Sequence, residues 1–151
     1  MKDPISIERL SKLHPKVKST FKAFIEEAEN VLGITLRIVQ GLRTVEEQNE
    51  LYAQGRTKAG KIVTNAKGGS SYHNYGLAID LVEIKDGQAN WNFDYSKIAP
   101  IGNRYGLFWG GNFKSILDKP HFEKSFGFSV KQLLEKYNKK DFIKGTSYVN
   151  I

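Results

Sequence analysis

From Val17 to Leu32 the apolar residues Val17, Phe21, Phe24, Ile25, Ala28, Val31 and Leu32 recur at helical spacing, which predicts one amphipathic helix ended by Gly33. Ile34 to Gln40 then reads as a strand. Thr44 with Glu47 forms a capping box for a helix of about ten residues. Arg43 stands at the threshold of that helix, where an arginine can face a cleft. Residues 57–71, rich in Gly and Lys, read as a loop, and Leu77 to Val82 as a mostly apolar strand. A further helix is expected over Asp94 to Tyr105, interrupted or kinked by Pro100 and ended by Gly106, with Phe108 and Trp109 entering a short strand. Ser129 with Gln132 makes a second capping box, and Val130, Leu133, Leu134 and Tyr137 give its helix one apolar face. From Asn138 to Ile151 no period dominates, so that stretch is either an ordered tail or a frayed end.

The polar residues that break this pattern are more informative than the pattern itself. Ser71-Tyr72-His73-Asn74-Tyr75-Gly76-Leu77-Ala78-Ile79-Asp80 is followed some forty residues later by Asp118-Lys119-Pro120-His121-Phe122-Glu123. Two imidazoles and a carboxylate can hold a zinc ion and leave a fourth position for water, while a spare carboxylate nearby can take that water's proton. His73 and Asp80 lie seven apart, so a uniform strand would send them to opposite faces. The chain must change conformation between them, and Gly76 is the residue that permits it. Pro120 disfavours helix at Lys119, so His121-Phe122-Glu123 is expected to be extended with Asp118 before a bend. Glu123 then shares the face of His121 and is open to two roles, base or partner of the ring. His14 lacks a second ligand at useful spacing and reads as structural or surface.

Composition bounds the rest. At 151 residues the chain fits one domain with one real core, expected over about residues 13–138, and no separate binding domain. Cysteine is absent, so thiolate ligands and disulfides are excluded and His/Asp ligation remains. No segment has the apolar length of a signal peptide or a membrane span, which leads us to expect synthesis in the cytoplasm and action after release or export. Net charge is +7, from 23 Lys and Arg against 16 Asp and Glu, and favours a polyanionic partner. The basic residues are spread along the chain without a basic–aromatic stripe, so a polyanion other than nucleic acid is preferred.

The pattern Ser-x-His-x-x-Gly-x-Ala-x-Asp followed by Asp-x-Pro-His-Phe-Glu resembles the bacterial and phage peptidoglycan metallopeptidases, which include D-alanyl-D-alanine carboxypeptidases and L-alanyl-D-glutamate endopeptidases. Gln40 to Thr44 and Glu47 to Thr57 resemble the segment that carries a substrate-binding arginine in that family, and Phe108-Trp109-Gly110-Gly111 resembles its Trp-Gly-Gly element. The resemblance runs from about Leu13 to Glu123 and is strongest to the endopeptidase branch that includes phage endolysins. It implies His73, Asp80 and His121 as ligands of one zinc per chain, Asp118 as the catalytic carboxylate and Arg43 as the residue that meets substrate. It also implies an α+β fold of the D-Ala-D-Ala carboxypeptidase and hedgehog kind, a small antiparallel sheet carrying the site with helices outside it. Gln48, Ser71 and Trp109 are further candidates for substrate binding, and a monomer is expected.

The function so implied is zinc-dependent hydrolysis of the L-alanyl-D-glutamate bond in the peptidoglycan stem, with net positive charge rather than a separate cell-wall-binding domain expected to hold the chain on anionic wall polymers. Rival readings are a D-alanyl-D-alanine carboxypeptidase or dipeptidase using the same chemistry, and an inactive zinc-stabilised wall-binding module. Asp118 speaks against the last, since a purely structural zinc site fills its fourth position with protein and needs no base.

Overall fold

The computed structural model describes residues 1–151. Five helices, α1 (Pro4–Ser11), α2 (Lys18–Leu32), α3 (Val45–Ala53), α4 (Ala99–Arg104) and α5 (Val130–Asn138), surround five strands, β1 (Leu36–Gln40), β2 (Ala78–Lys85), β3 (Gln88–Asn90), β4 (Phe108–Trp109) and β5 (His121–Glu123). The sheet is antiparallel in the order β1-β2-β5-β4, with β3 folded back on the far end of β2. This is the α+β arrangement expected from the sequence.

Alternation along β2 divides the molecule. Ile79 and Leu81 point into the core, where they meet Phe122 of β5 and the buried face of α2 made by Phe21, Phe24, Ile25 and Ala28. The rings of Phe24 and Phe122 lie 4.9 Å apart, which seats α2 against the sheet. The opposite face of β2 presents Asp80, directly across the ladder from His121. One strand therefore serves core and site through consecutive side chains.

Both capping boxes form, at Thr44 with Glu47 and at Ser129 with Gln132. Other expectations are corrected. Val31 is 64% exposed, because α2 needs only a narrow stripe against the sheet and Val31 falls off its edge. Asp94 to Tyr105 is a short 3₁₀ turn at Tyr95–Lys97 followed by α4, with Pro100 in the first turn of α4, where its missing N–H costs nothing. The core also exceeds residues 13–138, since Leu10 and Val149 belong to it. The tail is ordered: the buried His14 ring donates from Nε2 to the Val149 carbonyl at 2.8 Å, which gives His14 a structural role.

Helix α1, which the apolar pattern does not reveal, is docked by polar contacts. Asp3 caps it through Oδ2, which accepts from the Ser6 N–H at 2.8 Å, and Oδ1 accepts from Arg37 of β1 at 2.8 Å. The Ser6 hydroxyl accepts from the Ile38 N–H at 2.8 Å, and Arg9 reaches the Ile38 carbonyl at 2.6 Å. Burial alone would raise the Asp3 pKa, but Arg37 and Ser6 more than offset it and hold the carboxyl below the usual range. We expect Asp3→Asn to destabilise the fold by about 1–3 kcal/mol at neutral pH, as the charged pair is lost. Because the folded pKa is depressed, the difference between wild type and variant should be full above about pH 4 and fade as pH falls through the folded value. Urea unfolding of both proteins at a series of pH values checks this, and a difference that grows on acidification would refute the assignment.

Candidate active site

His73 and Asp80 meet because the chain reverses between them. Tyr72–Tyr75 forms a 3₁₀ turn capped by Ser71, and Gly76 follows with φ +68°, a left-handed conformation that launches β2. A side chain at Gly76 would also strike the His14 amide, 2.7 Å from its would-be Cβ. The turn is tied to the segment after β1: Arg43 N–H donates to the His73 carbonyl at 3.0 Å, and the Asn74 amide donates to the Arg43 carbonyl at 3.0 Å. His121 comes to the same point through its register with Asp80 in the β2–β5 ladder.

Three atoms converge. His73 Nε2 lies 3.3 Å from Asp80 Oδ1 and 3.2 Å from His121 Nδ1, and His121 Nδ1 lies 3.2 Å from Asp80 Oδ1. A tetrahedral zinc with ligand bonds of about 2.0–2.1 Å requires ligand–ligand separations of about 3.3–3.4 Å. The far nitrogen of each ring is already engaged: His73 Nδ1 donates to the Gly41 carbonyl at 2.8 Å, and His121 Nε2 donates to Glu123 Oε2 at 2.6 Å. Each ring therefore turns its other nitrogen toward Asp80, and the three ligand atoms lie within 4.8 Å of one another, a grouping that could hold a metal ion. The electrostatics agree. Burial works against a charged His121, yet Asp80 and Glu123 lift its pKa to about 9, so the surroundings of this ring favour positive charge. Burial likewise would raise Asp80, and the two imidazoles drive it far below the usual carboxylate range instead.

Asp118 stands beside this triangle, with Oδ2 3.9 Å from His121 Nδ1 and its side chain 45% exposed to the cleft. Burial, followed by the charge of Asp80, pushes its pKa up, which favours a carboxyl able to hold a proton. Its position depends on Gly110. The Asp118 N–H donates to the Gly110 carbonyl at 3.0 Å, and a Cβ at Gly110 would lie 2.2 Å from the Asp118 carbonyl oxygen, so only glycine permits the approach. Glu123 accepts from the His121 ring at 2.6 Å and also lines the cleft, a placement that suits a ring partner.

The triangle and Asp118 line a cleft of about 550 Å³ together with Arg43, Ser71, Tyr72 and Phe113. Arg43 Nη1 donates to Gln48 Oε1 at 3.0 Å, Nη2 lies 3.9 Å from Asp80 Oδ2, and the buried Nε has no partner. The guanidinium thus stands at the cleft wall, with Asp80 as its nearest carboxylate. Gln48 does not reach the cleft. It is fully buried behind Arg43, where its amide also donates to the Ala66 carbonyl at 2.8 Å. Trp109 does not line the cleft either; its indole N–H donates to the Lys119 carbonyl at 2.7 Å and braces the Asp118 loop. Ser71 does line the cleft, and its hydroxyl accepts from the His73 N–H at 3.3 Å. Sequence reasoning missed Gly41, whose contribution is a carbonyl, and Asn74, whose side chain ties both halves of the site together. Asn74 lies inside the first polar run, which was the available signal.

Residues 64–124 match the family model described as D-alanyl-D-alanine carboxypeptidase. The chain is 45% identical over 124 residues to the peptidoglycan L-alanyl-D-glutamate endopeptidase CwlK of Bacillus subtilis, covering 75% of this chain and 74% of that protein. The crystal structure of the L-Ala D-Glu endopeptidase ChiX of Serratia marcescens superposes with a TM-score of 0.59 at 26% identity, over 82% of this chain and 88% of that one. The vancomycin resistance D,D-pentapeptidase VanY, solved in complex with Zn(II), shares the fold with a TM-score of 0.56 at 18% identity, over 82% of this chain and 78% of that one. With extensive identity to an L-alanyl-D-glutamate endopeptidase and the two histidine motifs brought together on one sheet face, the chain belongs to the peptidoglycan peptidase family of D-alanyl-D-alanine carboxypeptidases and L-alanyl-D-glutamate endopeptidases.

Proposed function

We propose that this protein is a zinc-dependent peptidase that hydrolyses the L-alanyl-D-glutamate bond of the peptidoglycan stem, with one zinc per chain held by His73, Asp80 and His121. The observation that carries the reading is the convergence of three lone pairs at 3.2–3.3 Å, each imidazole locked in the required tautomer from behind. Zinc bound there supplies a Lewis acid that polarises the scissile carbonyl and lowers the pKa of water from about 16 toward roughly 7.

The remaining work falls to the chain's own side chains. Asp118 takes the proton from the attacking water and returns it to the leaving nitrogen. Gly41 and Glu123 keep the two rings in orientation. Arg43 receives an anionic group of the substrate, and Gln48 holds that guanidinium in place. In an L-Ala–γ-D-Glu stem the free α-carboxylate of D-Glu is attached beside the scissile nitrogen, which suits a guanidinium 3.9 Å from Asp80. We further propose that residues 1–151 form one catalytic domain that works as a monomer, and that its net charge of +7 helps it stay on the anionic wall.

Assay of two synthetic substrates separates the branches of the family. An acylated L-Ala-γ-D-Glu peptide should be cut and acyl-D-Ala-D-Ala left intact; the reverse preference would move the protein to carboxypeptidase activity. Arg43→Lys keeps the charge and loses the planar fork, so kcat/KM should fall about 10- to 100-fold while adsorption to whole cell walls stays nearly constant. Equal turnover would remove Arg43 from substrate recognition.

A further inference from the structure

Asn74 follows His73 directly, and its buried side chain uses its whole hydrogen-bonding capacity. Oδ1 accepts from the Gly69 N–H at 3.0 Å and from the Ser71 N–H at 3.2 Å, while Nδ2 donates to the Arg43 carbonyl at 3.0 Å and to the Thr44 carbonyl at 3.4 Å. Capping of the 3₁₀ turn accounts only for the bond to Ser71. The other three leave the turn, and two of them end on the segment that carries Arg43. Asn74 itself does not line the cleft; it lies behind the wall.

These bonds complete a pattern around one Cα. The Arg43 N–H donates to the His73 carbonyl at 3.0 Å, so the peptide groups on both sides of the Arg43 Cα are held by His73 and Asn74. Fixing both planes fixes φ and ψ, and with them the direction of the Cα–Cβ bond. The side chain has little else to hold it. Gln48 meets Nη1 at 3.0 Å, Nε has no partner, and Asp80 lies 3.9 Å from Nη2, beyond hydrogen-bond reach. Where the guanidinium stands relative to the His73 ring is therefore set largely through the backbone.

We propose that Asn74 is a positioning residue for substrate binding: its amide sets Arg43 in register with the His73 turn, so that a carboxylate held by the guanidinium arrives with the scissile carbonyl at the His73–Asp80–His121 triangle. It acts through the backbone of Arg43, not on the reacting atoms. The place calls for two donor and two acceptor positions in one planar group. An aspartate supplies acceptors alone, and an alanine supplies neither. The inference rests on Arg43 as the receptor for an anionic group of the substrate.

Two acylated peptides test it, L-Ala-γ-D-Glu and the same peptide with the α-carboxylate of D-Glu replaced by its amide. Wild type should prefer the carboxylate about 10- to 100-fold, the worth of a hydrogen bond to a charged group. Asn74→Asp keeps the acceptors for Gly69 and Ser71 but sets an oxygen against two carbonyls. It should raise KM for the carboxylate peptide about tenfold with kcat and zinc content retained, and treat the amide peptide as wild type does. Asn74→Ala should lose the same preference without adding a charge. On an Arg43→Lys background Asn74→Asp should add little, because both changes act on one contact. An unchanged KM, an equal loss on both peptides, loss of zinc, or failure of both variants to fold would overturn the inference and leave recognition by Arg43 as proposed. Equal cutting of the two peptides by wild type would overturn recognition by Arg43 and the inference with it.

Discussion

His73→Ala and His121→Ala are each expected to lose stoichiometric zinc and hydrolysis together. Each substitution removes one corner of a triangle whose edges are 3.2–3.3 Å, and two ligands do not hold zinc against a chelator. Elemental analysis should give one zinc per chain for wild type and far less for either variant. Stability supplies an independent readout. A ligand present at a thousand times its dissociation constant adds about 4 kcal/mol to the folded state, so chelation should lower the melting temperature of wild type and leave the variants unmoved. Stoichiometric zinc in both variants would remove these histidines as ligands.

Asp118→Asn is expected to separate chemistry from metal binding. The amide fills the same space beside His121 but cannot take a proton, so kcat should fall by about 10²- to 10⁴-fold with zinc content unchanged. Glu123→Gln should be milder. The glutamine carbonyl can still accept the His121 Nε2–H, so the ring stays oriented, and the expected cost is about tenfold in metal affinity. Zinc titrations and steady-state kinetics on both variants decide the matter. A nearly silent Asp118→Asn beside a severe Glu123→Gln would reverse the two roles.

Different parts of this molecule were legible to different degrees, for reasons that lie in particular residues. Capping boxes are local, so Thr44 with Glu47 and Ser129 with Gln132 could be read directly. The convergence of His73, Asp80 and His121 was legible because these residues carry ligand chemistry in two short motifs, and the fold brings their ligand atoms within 4.8 Å of one another. Helix α1 was hidden because its buried positions are Ser6 and Leu10, while Ile5 and Ile7 face solvent, so no apolar stripe marks it. The hairpin between β2 and β3 turns on Asp86 and Gly87, both at positive φ, a two-residue signal that a search for apolar runs passes over. The preference for Asp118 over Glu123 came from the family resemblance, because spacing leaves both carboxylates beside His121. Alternation places Glu123 beside the ring but cannot say that Nε2 is the atom it binds. Trp109 and Gln48 carry the polar and aromatic chemistry of binding residues, and only packing reveals that they support Lys119 and Arg43 instead. The tail gave no period because its anchor is nonlocal, a hydrogen bond from His14 to Val149.

The central claim is the bond that is cut. Purified peptidoglycan digested with the zinc-loaded protein, labelled at its new amino groups and analysed by mass spectrometry, should show D-Glu as the new amino terminus and L-Ala as the new carboxyl terminus on the glycan side, with no new sugar reducing ends. Release of free D-Ala with no labelled D-Glu would contradict it.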